Sequence, residues 1–182
     1  SAPEQWPTLR PHRLGVGIYT ADGTGAVVRT HRIELDIDGE STEVPELVGV
    51  PRGDLIIIND EDLAYAKIRL DPDSLAFAIK NLQAISDPLA RSLVWSSAWD
   101  STRDAQMAPR EFVDLVLNNI ATETESTTVR TALSQVALVV RSYLSPQNRS
   151  AAVVSTADAF WTLAHEAPSG SDNQFQLVRA FA

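Results

Sequence analysis

Before residue 70 short stretches of alternating or continuous apolar positions are separated by turns; beyond residue 70 the apolar positions recur every three or four. Leu14, Val16 and Ile18 alternate and stop at Ala21-Asp22-Gly23-Thr24-Gly25, a turn. Ile33, Leu35 and Ile37 point one way while Glu34, Asp36 and Asp38 point the other, which predicts a half-buried strand with one wet face. Asp38-Gly39 is a hairpin signal, because glycine accepts positive φ there. A short strand over Thr42–Leu47 is expected next, then a break at Pro51-Arg52-Gly53. Leu55-Ile56-Ile57-Ile58 reads as a strand covered on both faces. Asn59-Asp60-Glu61-Asp62 reads as a solvated turn and Tyr65–Leu70 as a last strand. Several short strands joined by turns predict a small β-sandwich over residues 1–70.

The second segment, residues 71–182, reads as helical. Asp71-Pro72 and Asp87-Pro88 each supply a capping carboxylate and a proline for the first helical position. Leu75, Ala78, Ile79, Leu82 and Ile85 form the first apolar stripe, and Leu89, Leu93, Trp95 and Trp99 the second. Ala108-Pro109 opens a third helix with Phe112, Leu115, Val116 and Ile120. A polar loop at Thr122–Ser126 precedes a fourth with Leu133, Val136, Val140 and Leu144. Ser145-Pro146 opens a fifth carrying Val154, Ala157, Phe160 and Trp161, ended by Pro168-Ser169-Gly170. A sixth starts at Ser171-Asp172 with Phe175, Val178 and Phe181. Its stripe is still running at Ala182, as if a longer helical array had been cut. The fold class is therefore α+β and multidomain: a small β-sandwich followed by an array of αα-hairpins.

Composition sharpens this division. Seven of the eight glycines lie at or before Gly53, whereas 18 of the 23 alanines follow residue 70. Acids outnumber bases by 24 to 15 for a net charge of −9, and neither segment is basic. Nucleic acid and acidic membrane surfaces, which need a basic footprint, are excluded as partners. Absence of cysteine removes disulfides, thiol nucleophiles and Cys-zinc sites, and fits a cytoplasmic protein. No apolar run approaches the roughly 20 residues of a membrane span. Residues 1–4 lack the basic start and apolar core of a signal peptide.

A search for chemistry returns no catalytic, cofactor-binding or metal residue. The three histidines are His12, His31 and His165. His165-Glu166 begins a His-Glu-x-x-His zinc helix, but Ser169 stands where the second histidine belongs and Pro168 interrupts the helix. Glu34-x-Asp36-x-Asp38-Gly39 imitates a calcium loop, yet Pro45 occupies the position of the bidentate glutamate. Gly15-x-Gly17 lacks the third glycine of a dinucleotide fingerprint, and its alternation makes it a strand. Asn148-Arg149-Ser150 matches a glycosylation acceptor without an export signal to give it meaning. Trp95, Trp99, Trp161 and Tyr143 stand at helical spacing and are expected as core anchors. Trp6 and Met107 gain no role.

Asn59, then Ala64-Tyr65-Ala66-Lys67, then Leu70-Asp71 form a register of their own. Together with Thr42–Gly49, Asp87–Arg91 and Trp95–Arg103, this register resembles the C-terminal region of the M1 zinc aminopeptidases, of the aminopeptidase N type in its actinobacterial form. Alanine replaces a glycine of the family pattern at Ala64 and a tyrosine at Ala66. The resemblance covers about residues 10–182 and implies a β-sandwich followed by the opening helices of a helical bowl. It implies a non-catalytic fragment of an enzyme of the membrane alanyl aminopeptidase class, acting as spacer and as wall of the substrate chamber. Zinc, peptide substrates and a catalytic domain of the same chain would belong to the parent. The family's Gly-x-Met-Glu-Asn and His-Glu-x-x-His motifs have no counterpart here, so no catalytic residue carries over. The alternative is a freestanding sandwich-plus-array module that binds another protein.

Overall fold

A computed structural model describes residues 4–182. Strands β1 (His12–Ala21), β2 (Val27–Ile37) and β3 (Leu55–Asp60) form one antiparallel sheet in the order β2-β1-β3. Six helices follow: α1 (Pro72–Asn81), α2 (Pro88–Arg103), α3 (Pro109–Asn119), α4 (Ser126–Leu138), α5 (Pro146–Glu166) and α6 (Asp172–Phe181). The chain thus has the expected α+β architecture, a small sheet and then a helical array.

Two expected strands are not strands. Over Thr42–Leu47 the chain instead makes a 3-10 turn at Pro45–Leu47. Pro45 fixes φ and brings no N–H to a ladder, which favours the turn. Gly39 does adopt φ +76, but the turn it makes leads to no partner strand, and β2 stays at the sheet edge. Tyr65–Leu70 has no regular secondary structure and joins no ladder. Side chains hold it instead. The Ser97 hydroxyl donates to the Ile68 carbonyl at 3.3 Å, while Lys67 and Arg69 both reach Asp104. Among the described residues, the second layer on the sheet is helical, with α1 and α2 packing on β3.

The sheet's two faces differ because side chains alternate. Tyr19, Val27, Leu55 and Ile57 are buried and join one continuous core with the helices. Leu14, Val16 and Ile18 are buried on the opposite face. Ile58 is partly exposed, so β3 is not covered evenly on both faces. A lone parallel bridge from Val27 to Ile85 links the sheet to the turn between α1 and α2.

Local chemistry explains where the helices start. The Asp71 carboxylate accepts from the Asp73 and Ser74 N–H groups, with Pro72 in the first turn. Asp87 accepts from the Leu89 N–H ahead of Pro88. The Glu111 carboxylate accepts from the Ala108 N–H at 3.2 Å, and the Ser171 hydroxyl accepts from Gln174 N–H. Each cap satisfies donors that the first helical turn leaves orphaned. The helices pack on the next and the next but one: α1 on α3, α2 on α3 and α4, α4 on α6, α5 on α6. Phe112, Leu115, Val116, Ile120, Leu133 and Val136 fill the space between them, each at most 2 % exposed. The expected single fourth helix ends at Leu138 and passes into a π-helical turn over Val139–Tyr143.

Candidate functional site

Three places concentrate charge or open space: an ionic cluster on the sheet, a buried ion pair between helices, and grooves along the helical array.

The ionic cluster sits where β3 ends beside β1. Asp60 is fully buried, not the solvated turn residue that its acidic neighbours suggested. Its carboxylate accepts from the Tyr19 hydroxyl and from Arg29, each at 2.7 Å. Arg32 approaches it at 3.7 Å and also pairs with Glu34 at 2.8 Å and Glu61 at 2.9 Å. Burial, then the hydrogen bond to Asp60, pushes the Tyr19 phenol above its ordinary range. The Arg29 guanidinium is raised as well, chiefly by its hydrogen bond to Asp60. Here Gly15-x-Gly17 finds its purpose. A Cβ on Gly17 would lie 2.6 Å from the Asp60 carboxylate, and one on Gly15 would lie 2.7 Å from the Asp60 carbonyl oxygen. The glycines admit the carboxylate against the central strand. A strand glycine marks such an approach in sequence, though not its partner.

Next to it, Asn59 adopts φ +62 and clamps the following loop. Its side chain donates to the Ala64 carbonyl at 2.7 Å and accepts from the Ala64 N–H at 2.9 Å. Two marks of the register that carried the family resemblance, Asn59 and Ala64, are therefore hydrogen-bonded to each other.

The second cluster joins α2 to the loop before α4. Arg91 donates through Nε and Nη2 to both oxygens of Glu123, at 3.0 and 2.8 Å. Trp95 Nε1 adds a third bond at 3.1 Å. The remaining Arg91 nitrogen donates to the Ile85 carbonyl at 2.8 Å. Burial would raise the Glu123 pKa, but the Arg91 and Trp95 bonds outweigh it and hold the carboxyl below its ordinary value. In both clusters the charges are paired within the protein, which suits structure rather than turnover. The Arg91–Glu123 pair is fully hydrogen-bonded, whereas Arg32 Nε and Nη2 in the sheet cluster are buried with ionic neighbours but no well-aligned hydrogen bond.

Among the described residues, several grooves lie along the array. One of about 380 Å³ runs between α2 and α4, with Ser92, Ser96, Trp99, Thr127 and Thr131 on its walls. The largest, about 750 Å³, separates α3 from α5 beside Val113, Leu117, Tyr143 and Ala152. A third, about 290 Å³, lies between α4 and α6.

The sequence candidates for metal stay apart. His12 lies on β1, His31 on β2 and His165 on α5, where its Nδ1 is 2.9 Å from the Trp161 carbonyl. Among the described residues no group of three or more His, Asp or Glu side chains converges on a point. The donor set of the described residues does not fit zinc. Glu34 and Asp36 are engaged by Arg13 and Arg32 rather than forming a calcium loop. Trp95 is buried as expected, but Trp161 and Tyr143 are 49 % and 40 % exposed, so they do not anchor the core. The apolar stripe of α5 and α6 is wider than the core can cover. Leu177 and Phe160 take the inward positions and leave Trp161, Phe175, Val178 and Phe181 outside. Sequence reasoning also missed Arg29, Arg32, Arg91 and Glu123, because nothing local marks a charge whose partner lies some 30 residues away.

Residues 55–182 match the family model described as the ERAP1-like C-terminal domain. The chain is also 47 % identical, over 178 residues, to Aminopeptidase N of Streptomyces lividans. That match takes in 97 % of this chain and 20 % of the relative, so the chain spans about a fifth of that protein's length. Asn59 through Asp71, whose register first resembled this class, lies inside the matched region. With its helical array and the sheet strand that leads into it both within the match, the chain belongs to the ERAP1-like C-terminal domain family.

Proposed function

We propose that this chain is the non-catalytic C-terminal part of an M1 zinc aminopeptidase that releases N-terminal residues from peptides. Residues 1–70 would form a spacer unit, and residues 71–182 a helical unit that walls the substrate chamber. The carrying observation is the 47 % identity to one fifth of an aminopeptidase N, spread over nearly the whole chain. Its partner is the catalytic domain of the same polypeptide, which supplies the zinc ligands that His12, His31 and His165 do not assemble. There the metal would polarise the scissile carbonyl and activate water. The role of the present residues is geometric: grooves along α2–α4 and α3–α5 limit which peptides reach that centre. A cytoplasmic location completes the proposal and is tested by cell fractionation.

The test is the product of the complete reading frame. It should hydrolyse alanyl and leucyl anilides and lose that activity to a zinc chelator. Residues 4–182 alone should show none. Hydrolysis by the isolated chain, or a reading frame with no zinc-binding domain, would overturn the proposal. A self-contained interaction module is the second reading, and the exposed row Trp161, Phe175, Val178 and Phe181 favours it. A reading frame that begins and ends with this chain decides for the module.

A further inference from the structure

Helices α4 and α6 run side by side in the same direction, their N-termini joined by the Ser126 hydroxyl, which donates to Asp172 at 2.6 Å. The groove between them is lined by Arg130, Ser134 and Arg141 from the α4 side and by Gln176 and Arg179 from α6. All three arginines are exposed. Eight of the chain's 15 basic residues form ion pairs among the described residues, but these three do not. No Asp or Glu side chain lines the groove, in a protein of net charge −9. Arg179 is steadied over the Phe175 ring at 5.5 Å. Arg141 follows Arg130 by eleven positions, roughly 16 Å along the helical path, too far for one small anion to bridge.

We infer that this groove is a docking site for an acidic, extended peptide segment. Its cations are spread over a length that about five extended residues span. Their charge is not neutralised by the fold, whereas the arginines of the sheet are. Guanidinium forks suit carboxylates. The inference stands apart from the aminopeptidase reading, since it needs neither zinc nor hydrolysis.

The probe is a fluorescein-labelled hexaglutamate, with hexalysine as its counterpart, titrated by anisotropy against the present chain. Hexaglutamate should bind at low salt and weaken steeply as salt rises. Arg130→Gln, Arg141→Gln and Arg179→Gln should each weaken binding about two- to five-fold, the range of an exposed pair. Together they should weaken it about tenfold or more. Lys80→Gln, on the exposed side of α1 and outside these grooves, should leave binding unchanged. The unfolding midpoint of every variant is measured alongside, so that a loss of fold is not read as a loss of affinity. Absence of hexaglutamate binding, equal binding of hexalysine, or equal weakening by Lys80→Gln would each overturn the inference.

Discussion

Asp60 shows how much one buried charge demands of its neighbours. Tyr19, Arg29 and Arg32 neutralise it, and Gly17 makes room for it. Gly17→Ala should cost about 2 kcal/mol, because the added methyl overlaps the carboxylate and neither strand can easily move. Asp60→Ala should cost more, about 3 kcal/mol or above, since it strands Arg29 and the Tyr19 hydroxyl without their partner. Urea unfolding of both variants checks the order. A second residue with a measurable effect is Glu123. Its folded pKa lies below the ordinary value of 4.5, so its contribution is fully present above that pH and is lost as pH falls through the lower folded value. Stability should therefore drop as pH falls below about 4.5. Glu123→Gln should lower neutral stability and flatten part of that acid slope, as unfolding midpoints across pH 3–7 will reveal.

At the scale of elements, starts were legible and pairings were not. Every proline-led helix begins within a residue of its sequence signal, because capping carboxylates and proline act within one turn. Asp71→Ala tests this locality. It removes two cap bonds, the bond from the Ser74 hydroxyl and the ion pair to Arg52, and should cost about 1 kcal/mol by thermal or urea unfolding. Alternation marked β1 and β2 and a continuous apolar run marked β3, but the same reading overcounted at Thr42–Leu47 and Tyr65–Leu70. A segment becomes a strand only if a partner edge lies within hydrogen-bonding reach, and local periodicity carries no information about that edge. The register shifts at Ile18/Tyr19 and Gly15/Val16 were equally invisible. The shift at Gly15/Val16 brings Asp60 opposite Gly15, and the one at Ile18/Tyr19 brings Arg29 opposite Tyr19, so that Tyr19 and Arg29 both meet the Asp60 carboxylate.

For the molecule as a whole, exposed surface is the telling quantity. The chain presents 10,741 Å² to solvent, about a quarter more than the roughly 8,600 Å² expected of a compact fold of this mass. Part of the excess is apolar: Trp161, Phe175, Val178 and Phe181 stand out on α5 and α6, with Trp161 and Phe181 in contact at 4.9 Å. Contiguous apolar surface of this kind favours association. The isolated chain should bind an apolar dye and self-associate with rising concentration. Trp161→Ser combined with Phe181→Ser should weaken both, read by dye fluorescence and sedimentation. A strictly monomeric, dye-silent chain would mean that the row is a solvated face.

What the sequence determined by itself is what short-range physics controls: the three strands and the glycine turns between them, the capped and proline-led helices, their inward stripes and the change of habit near residue 70. Its Asn59-to-Asp71 register also pointed to the family. Tertiary structure alone decided which strands found partners, that Asp60, Arg91 and Glu123 would be buried together with their counter-charges, and which of two apolar faces on α5 and α6 met the core. It alone gathered Arg130, Arg141 and Arg179 around one groove. The physical reason is range: capping and periodicity act over a few residues, whereas desolvation and charge pairing depend on neighbours that only the folded chain brings together.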